Sequence, residues 1–409
     1  MTYTKQTWTD GVSVANADRF NHMETGIKAA HTLASSTSAV PRLGILRVAS
    51  MHAPADVKAQ CQYVCTGVND QIQINDALQA ATRPGDGFGG TGAGCVELVG
   101  GDFYIASDNA TSINMYPSTW LRGSGPGVFL RPRWTSTSID RGTIELVNQS
   151  VAHVRVSDLT IGRESDIATN GHGIKFYQSG KASAYQMNTG SDPFIWIHDV
   201  MILKVRGKGV YLTGAAGSGG CRATQVLDVV AWNTSGDGFD IQSSDCHLTN
   251  CNAQPNAGGN GFRIQGGNSK LLNCKSYYSE ADTDGFLITS SRAEVHGCAA
   301  QDNGRWGFNI SSGDCTVTGC VADSNARMTS SGGGFNIAST GVYEGLHAFD
   351  RGQTPSSPQL RGIVLAGSPQ VMLTGRSSVP SDSAHVIGAP GAGSYAKVVR
   401  SGTSLYSVG

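Results

Sequence analysis

Charge is scarce in this sequence. Only 15% of its 409 residues are Asp, Glu, Lys or Arg, against the roughly 25% usual in soluble domains, so the side chains that clothe exposed helices are in short supply. The 30 Lys and Arg nearly cancel the 31 Asp and Glu, and that balance creates no overall positive field to gather nucleic acid or an anionic membrane. No window approaches the roughly 18 unbroken apolar residues of a membrane span. The opening MTYTKQTWTDGVSV lacks the apolar stretch of a secretory signal. The expectations are synthesis in a cytosol, no membrane insertion and no nucleic-acid partner. Cysteine is sparse as well: ten residues are too few for a disulfide scaffold in a chain of this length.

Glycine is plentiful, 54 residues against 13 prolines, and it is distributed as a repeat. GDGFDI (236–241), GNGFRI (259–264), TDGFLI (283–288), RWGFNI (305–310) and GGGFNI (332–337) recur every 22 to 27 residues. Looser copies are GHGIKF (171–176), GKGVYL (207–212) and RGIVLA (361–366). Between them a second phrase repeats, ending at Cys251, Cys274, Cys298 and Cys320, which by subtraction lie 23, 24 and 22 residues apart. A period of this size marks a solenoid. Each unit holds two or three short alternating strands joined by Gly, Asn, Ser or Asp and no run fit for a crossover helix. Units of that kind bury their apolar faces only by stacking, so the expected fold is all-β, a right-handed single-stranded parallel β-helix with rungs roughly 4.8 Å apart.

Stacking puts like residues on like. Leu248, Leu272, Val295 and Val317 are expected to point inward, followed by a sharp bend at Asn250, Asn273, Gly297 and Gly319, residue types that tolerate a left-handed backbone. The four cysteines then point inward as a ladder of small buried hydrophobes. The Cys-x4-Cys spacings, Cys246 to Cys251 and Cys315 to Cys320, match no usual zinc pattern. Neither a metal nor a cofactor is expected. Phe239, Phe262, Phe286, Phe308 and Phe335 form a second inner stack.

A solenoid needs caps, because an open strand edge invites aggregation. Residues 69–81, NDQIQINDALQAA, read as an amphipathic helix with Asn69 or Asp70 as N-cap and Ile74, Ala77, Leu78 and Ala81 on one face. CVELVGGDFYI (95–105) follows as a strand pair, and YAKVVRSGTSLYSV (395–408) reads as a closing hairpin. Near the start, Phe20, Met23, Ile27, Ala30 and Ala34 are spaced 3, 4, 3 and 4, a heptad seam suited to a helix that meets copies of itself. Residues 34–54 read as a linker with a short apolar strand, Leu43 to Val48.

The passages QYVCTGVNDQIQINDALQAA (62–81), CVELVGGDFYI and WLRGSGPGVFLRP (120–132) resemble the opening of the pectate-lyase-like right-handed β-helices of bacteriophage tail spikes and tail fibres. TWTDGVSVANADRFNHMETGIKAA (7–30) is similar to a short attachment module at the N-terminus of phage tail proteins. The resemblance implies a homotrimer in the virion tail, made in the host cytoplasm. Its N-terminal segment would join other tail or baseplate proteins and its rod would bind bacterial surface glycan. The expected parts are an attachment and self-association segment (1–34), a linker (35–60), a capping region (61–94), a β-helix of nine or ten rungs (95–380) and a C-terminal cap (381–409).

Similar β-helices often depolymerise glycans, and glycoside hydrolysis needs two carboxyls about 5 to 9.5 Å apart. Asp237 and Asp284 hold equivalent places two repeats apart, with Glu280 nearby, and these three are the candidate catalytic residues. Asp before Gly is also an ordinary turn former. NTSGDGFD (233–240) resembles the NTDGFD of polygalacturonases but carries two extra residues, and GHG precedes it where that family has it after. His172 and His296 read as outward turn or strand residues. Between GHGIKF and GKGVYL the repeat swells to 36 residues, and its excess carries aromatics suited to sugar rings. Tyr177, Tyr185 and Trp196, with Trp232 and Trp306 outside the inner stacks, are the candidate ligand-binding residues. Three function classes stay open: a glycan-binding tail protein, a polysaccharide hydrolase or lyase, and a purely structural head or tail decoration.

Overall fold

The computed structural model describes residues 44–82, 94–105, 111–134, 140–146, 153–162, 171–178, 195–214, 220–255, 258–280, 282–329, 331–351, 359–367, 369–379, 386–388, 391–400 and 405–408. The self-association seam from Phe20 to Ala34 lies outside them, as does Tyr185.

Among the described residues, short strands of two to nine residues pair, almost all in parallel, with their counterparts one repeat away, in one sheet of 22 strands and one of 11. The larger sheet bends along its length and so supplies two faces of a three-sided rod; the smaller closes the third. One rung comprises His247–Thr249 on the first face, Asn252–Pro255 on the second and Phe262–Ile264 on the closing sheet. The next places Lys270–Leu272, Lys275–Tyr277 and Phe286–Ile288 against them. Among the described residues the closing sheet has eleven strands, from Ile113–Met115 to Val386–Ile387; ten of them fall within residues 95–380, in line with the nine or ten rungs that the repeat suggested.

The core is a set of ladders. Phe239, Phe262, Phe286, Phe308 and Phe335 stack with ring centroids 4.6 to 4.9 Å apart and planes within 8° of parallel. All five are fully buried, and each such burial contributes about 1.5–3 kcal/mol. The glycine before each Phe has a reason: a Cβ at Gly261 or Gly285 would stand 2.7 Å from the carbonyl oxygen of the next rung. Cys251, Cys274, Cys298 and Cys320 are buried at the bend between the first two faces, directly after Asn250, Asn273, Gly297 and Gly319, whose φ values are 55°, 54°, 61° and 62°. Burial pushes the thiol of Cys251 up; hydrogen bonding with Cys274 and Cys320, with burial adding to it, pushes that of Cys298 up. Cys221, Cys246 and Cys315 are buried at the other end of the first-face strands, so Cys-x4-Cys is one strand flanked by two inward corners. At the turn into the closing sheet the filling is polar: Asn303 donates to Asn325 Oδ1 at 2.9 Å, and Asn325 donates to Gln359 Oε1 at 3.1 Å.

One inward assignment needs correction. Leu271, not Leu272, continues the column of Leu248, Val295 and Val317; Leu272 points out and is 51% exposed. The short apolar strand expected within residues 34–54 is Ile45–Ala49, which pairs in parallel with Cys95–Val99 and lengthens the first face by one strand.

The helix Gln71–Ala81 buries Ile74, Ala77, Leu78 and Ala81 over the open end of the first rung, against Ile45–Ala49, Cys95–Val99 and Ile113–Met115. Asp70 precedes it, fully buried. Its carboxylate accepts the N–H groups of Gly67 and Tyr104, both at 2.8 Å, which ties the helix entry to the strand Asp102–Ile105. At the far end Tyr395–Arg400 pairs antiparallel with Leu405–Val408, the reversal expected of a closing hairpin.

Candidate functional site

On the closing sheet each phrase of the form GxGφXφ turns two side chains, x and X, away from the core. In four successive rungs both positions carry polar, charged or aromatic side chains. The pairs are His172 and Lys175, Lys208 and Tyr211, Asp237 and Asp240, and Asn260 and Arg263, with Lys175, Tyr211, Asp240 and Arg263 in register. The strands His172–Gln178, Val210–Gly214, Phe239–Ile241 and Phe262–Ile264 carry this column.

Tyr211 is its centre. The Lys208 ammonium stands 3.6 Å from the Tyr211 ring centroid and Lys175 lies 5.7 Å away, a cation–π arrangement. His172 meets the same ring at 5.3 Å. Lys208 Nζ also donates to Asp240 Oδ2 at 2.5 Å, and Asp240 is fully buried with Oδ1 lacking any hydrogen-bond partner. His172 Nδ1 accepts the Lys208 backbone N–H at 2.9 Å, so the ring proton belongs on Nε2, which donates to Asp140 at 2.8 Å. Burial depresses the His172 pKa despite that carboxylate, and the imidazole is neutral near pH 7. Hydrogen bonds from Lys175 and His172 outweigh desolvation at Asp140 and hold its carboxyl at about 2.

The three expected carboxylates do not form a matched pair. Asp284 is fully buried, and its oxygens accept two bonds from Arg305 (2.8 and 2.6 Å), one from Asn309 (2.8 Å) and one from the Trp306 N–H (3.1 Å). Asn260 stands between it and Asp237, giving its N–H and Nδ2 to Asp237 Oδ1 and accepting the Asp284 N–H. Among the described residues Asp237 Oδ2 faces Arg263 at 4.0 Å. Burial raises the Asp237 carboxyl above its ordinary range, reinforced by the Asp240 charge and opposed by Asn260. Glu280 is exposed, at the turn before the strand Phe286–Ile288.

The expected aromatics among the described residues lie on more than one face of the rod. Tyr177 lies half-buried on the closing sheet, Trp196 is 39% exposed on the first face and Trp232 is 49% exposed on the second. Trp306, placed outside the inner stacks by its sequence, is only 8% exposed, because it opens the closing-sheet strand Trp306–Ile310 beside Asp284. Trp196 has a partner set that the repeat did not reveal. On the first face Trp120, Arg155 and Trp196 stand in register, with the Arg155 guanidinium 4.6 and 4.8 Å from the two indole centroids. A recess of ≈ 240 Å³ opens beside them, lined by His153, Val154, Arg155 and Trp196. No group of three His, Cys, Asp or Glu side chains suited to a metal ion occurs among the described residues.

A family model described as right handed beta helix region matches residues 183–345. The sequence matches no curated protein. Among solved structures, the enzymatically active domain of tailspike protein 2 from bacteriophage CBA120 is similar at 17% identity and TM-score 0.57, over 75% of this chain and 45% of that one. The A-module of the mannuronan C-5 epimerase AlgE6 from Azotobacter vinelandii gives 14% and 0.57, over 83% of this chain and 97% of the module. ORF18 of Geobacillus virus E2 gives 11% and 0.53, over 93% and 66%. This chain spans less than half the length of the tailspike. Rung register, family model and solved structures agree: the chain is a right-handed parallel β-helix, the fold it shares with phage tailspike proteins.

Proposed function

We propose that this protein is a bacteriophage tail-spike or tail-fibre protein that binds bacterial surface polysaccharide through the outer face of its closing sheet. The observation that carries the reading is the column Lys175, Tyr211, Asp240 and Arg263, in register over four rungs. A row of chemically distinct donors, acceptors and one aromatic face, repeated at roughly 4.8 Å, is matched to an extended polymer whose sugar units present hydroxyls and flat faces in succession. The similarity to a phage tailspike and a viral open reading frame product supports the virion setting. So does the resemblance of residues 7–30 to a tail attachment module. The protein would act as a homotrimer, joined to other tail proteins through its N-terminal segment. Purified protein should bind polysaccharide extracted from host cells, and Lys208→Ala with Tyr211→Ala should abolish binding, with a lower thermal midpoint because Asp240 loses its ion pair but with the β-sheet circular dichroism retained. Undiminished binding in that double variant would refute the closing-sheet site. Absence of binding to cells and to the extract would leave a structural decoration as the function.

A second reading, cleavage of the bound glycan, rests on Asp237. It is a buried carboxyl with a raised pKa and one oxygen free of hydrogen bonds, properties that suit a general acid. Asp284 and Glu280 complete the candidate carboxylate set in that reading. New reducing ends or unsaturated products, lost in Asp237→Asn, would establish it.

A further inference from the structure

Arg155 on the first face is held in an unusual way. Its Nε–H donates to His198 Nε2 at 2.7 Å, and His198 Nδ1 is 2.7 Å from Asp199 Oδ2. Since Nε2 accepts, the ring proton is on Nδ1 and goes to Asp199, so a relay from carboxylate through imidazole fixes the guanidinium in the plane between the Trp120 and Trp196 rings. Trp120 is fixed in turn, its Nε1–H donating to Ser157 Oγ at 2.9 Å. The neighbouring carboxylate, Glu97, is taken by Arg47 and Arg122. Among the described residues nothing accepts from the two terminal nitrogens of Arg155, and no carboxylate pairs with it. A guanidinium with a fixed Nε and an unclaimed Nη pair presents the fork that carboxylates fit with two parallel bonds. Beside that fork lie the half-exposed indole of Trp196 and the ≈ 240 Å³ recess, room for one sugar ring.

We propose that this recess is a subsite for a sugar residue that carries a carboxylate, its ring against Trp196 and its carboxylate on the Arg155 fork. The inference rests on the polysaccharide reading above and names the sugar class. It lies on a different face of the rod from the Tyr211 column, so the two sites can be tested apart.

The test is calorimetric and saturation-transfer NMR titration of the full chain with sodium D-glucuronate and with D-glucose. Glucuronate should bind at least about tenfold more tightly than glucose. Arg155→Gln should erase the preference and Trp196→Ala should weaken both sugars. Arg155→Lys, which keeps the charge and loses the fork, should lose most of the preference at an unchanged thermal midpoint, and this separates recognition from folding. Equal affinity for the two sugars, no glucuronate binding at about 50 mM, or an unchanged preference in Arg155→Lys would overturn the proposal. The Lys208→Ala, Tyr211→Ala double variant should keep the glucuronate preference. If that variant loses polysaccharide while Arg155→Gln does not, only the acidic-sugar subsite fails; if both variants bind polysaccharide normally, the closing-sheet reading fails as well.

Discussion

Cys298 sits in the middle of an inner ladder, packed between Cys274 and Cys320 with its neighbours on the same corner of the rod. Cys298→Ser replaces a weakly polar thiol by a hydroxyl with no assured acceptor and should cost about 1–3 kcal/mol, read as a lower unfolding midpoint. In the native protein a water-soluble thiol reagent should leave all four ladder cysteines unmodified over hours, since all four are buried and burial shuts out the reagent. Asp237 gives the opposite sign of effect. Its folded pKa lies above the ordinary carboxylate value, so the proton is held more tightly in the folded state and ionisation costs stability as pH rises through the folded pKa. Asp237→Asn keeps an acceptor for Asn260 and removes the charge. The variant should melt higher than the parent at pH 7, and the difference should vanish below pH ~3.5, where both folded and unfolded aspartates are protonated. Thermal midpoints across that pH range check it.

Among the elements, the phenylalanine ladder makes the clearest energetic claim. Phe286→Ala removes a ring stacked on both sides and should destabilise by about 3–5 kcal/mol. Because stacking energy passes only between adjacent rungs, Phe262→Ala with Phe286→Ala should be non-additive, whereas Phe239→Ala with Phe335→Ala should add within ~0.5 kcal/mol. Unfolding rates in denaturant measure both. This ladder was legible in the sequence because one residue type recurs at one place in each repeat, and so was the cap, whose Ile74, Ala77, Leu78 and Ala81 keep helical spacing. NSKLLNC was misread for a local reason. It offers two adjacent leucines, and only counting back from the bend distinguishes them: Leu248 and Val295 each stand two places before Asn250 and Gly297, and two before Asn273 is Leu271. The Tyr211 column was missed because Lys208 and Asp237 occupy positions that serve elsewhere as ordinary turn formers. Their meaning appears only when four rungs are laid in register. Trp306 is covered by the following rung, where Gly333 stands in register beside its ring, a contact that a linear reading does not supply.

At the scale of the whole molecule the open question is association. The seam Phe20, Met23, Ile27, Ala30 and Ala34 predicts a trimer, and Ile27→Asp would set three carboxylates on one axis without partners, a cost of several kcal/mol by burial of unpaired charge. Mass measurement at micromolar concentration should give a trimer for the full chain and a smaller species for Ile27→Asp, with the β-sheet circular dichroism of both alike; a monomeric parent would refute the trimer. The rod itself is a different matter, because it is built of equivalent steps. Asn252 and Lys275 are register partners in successive rungs, so excising residues 252–274 would join Cys251 to a strand already shaped to follow it, and the rod would close up shorter by about 4.8 Å. Put in the language of heredity, recombination between neighbouring repeats is an in-frame edit of reach: a lineage can lengthen or shorten this protein by whole rungs without redesigning the packing of those that remain.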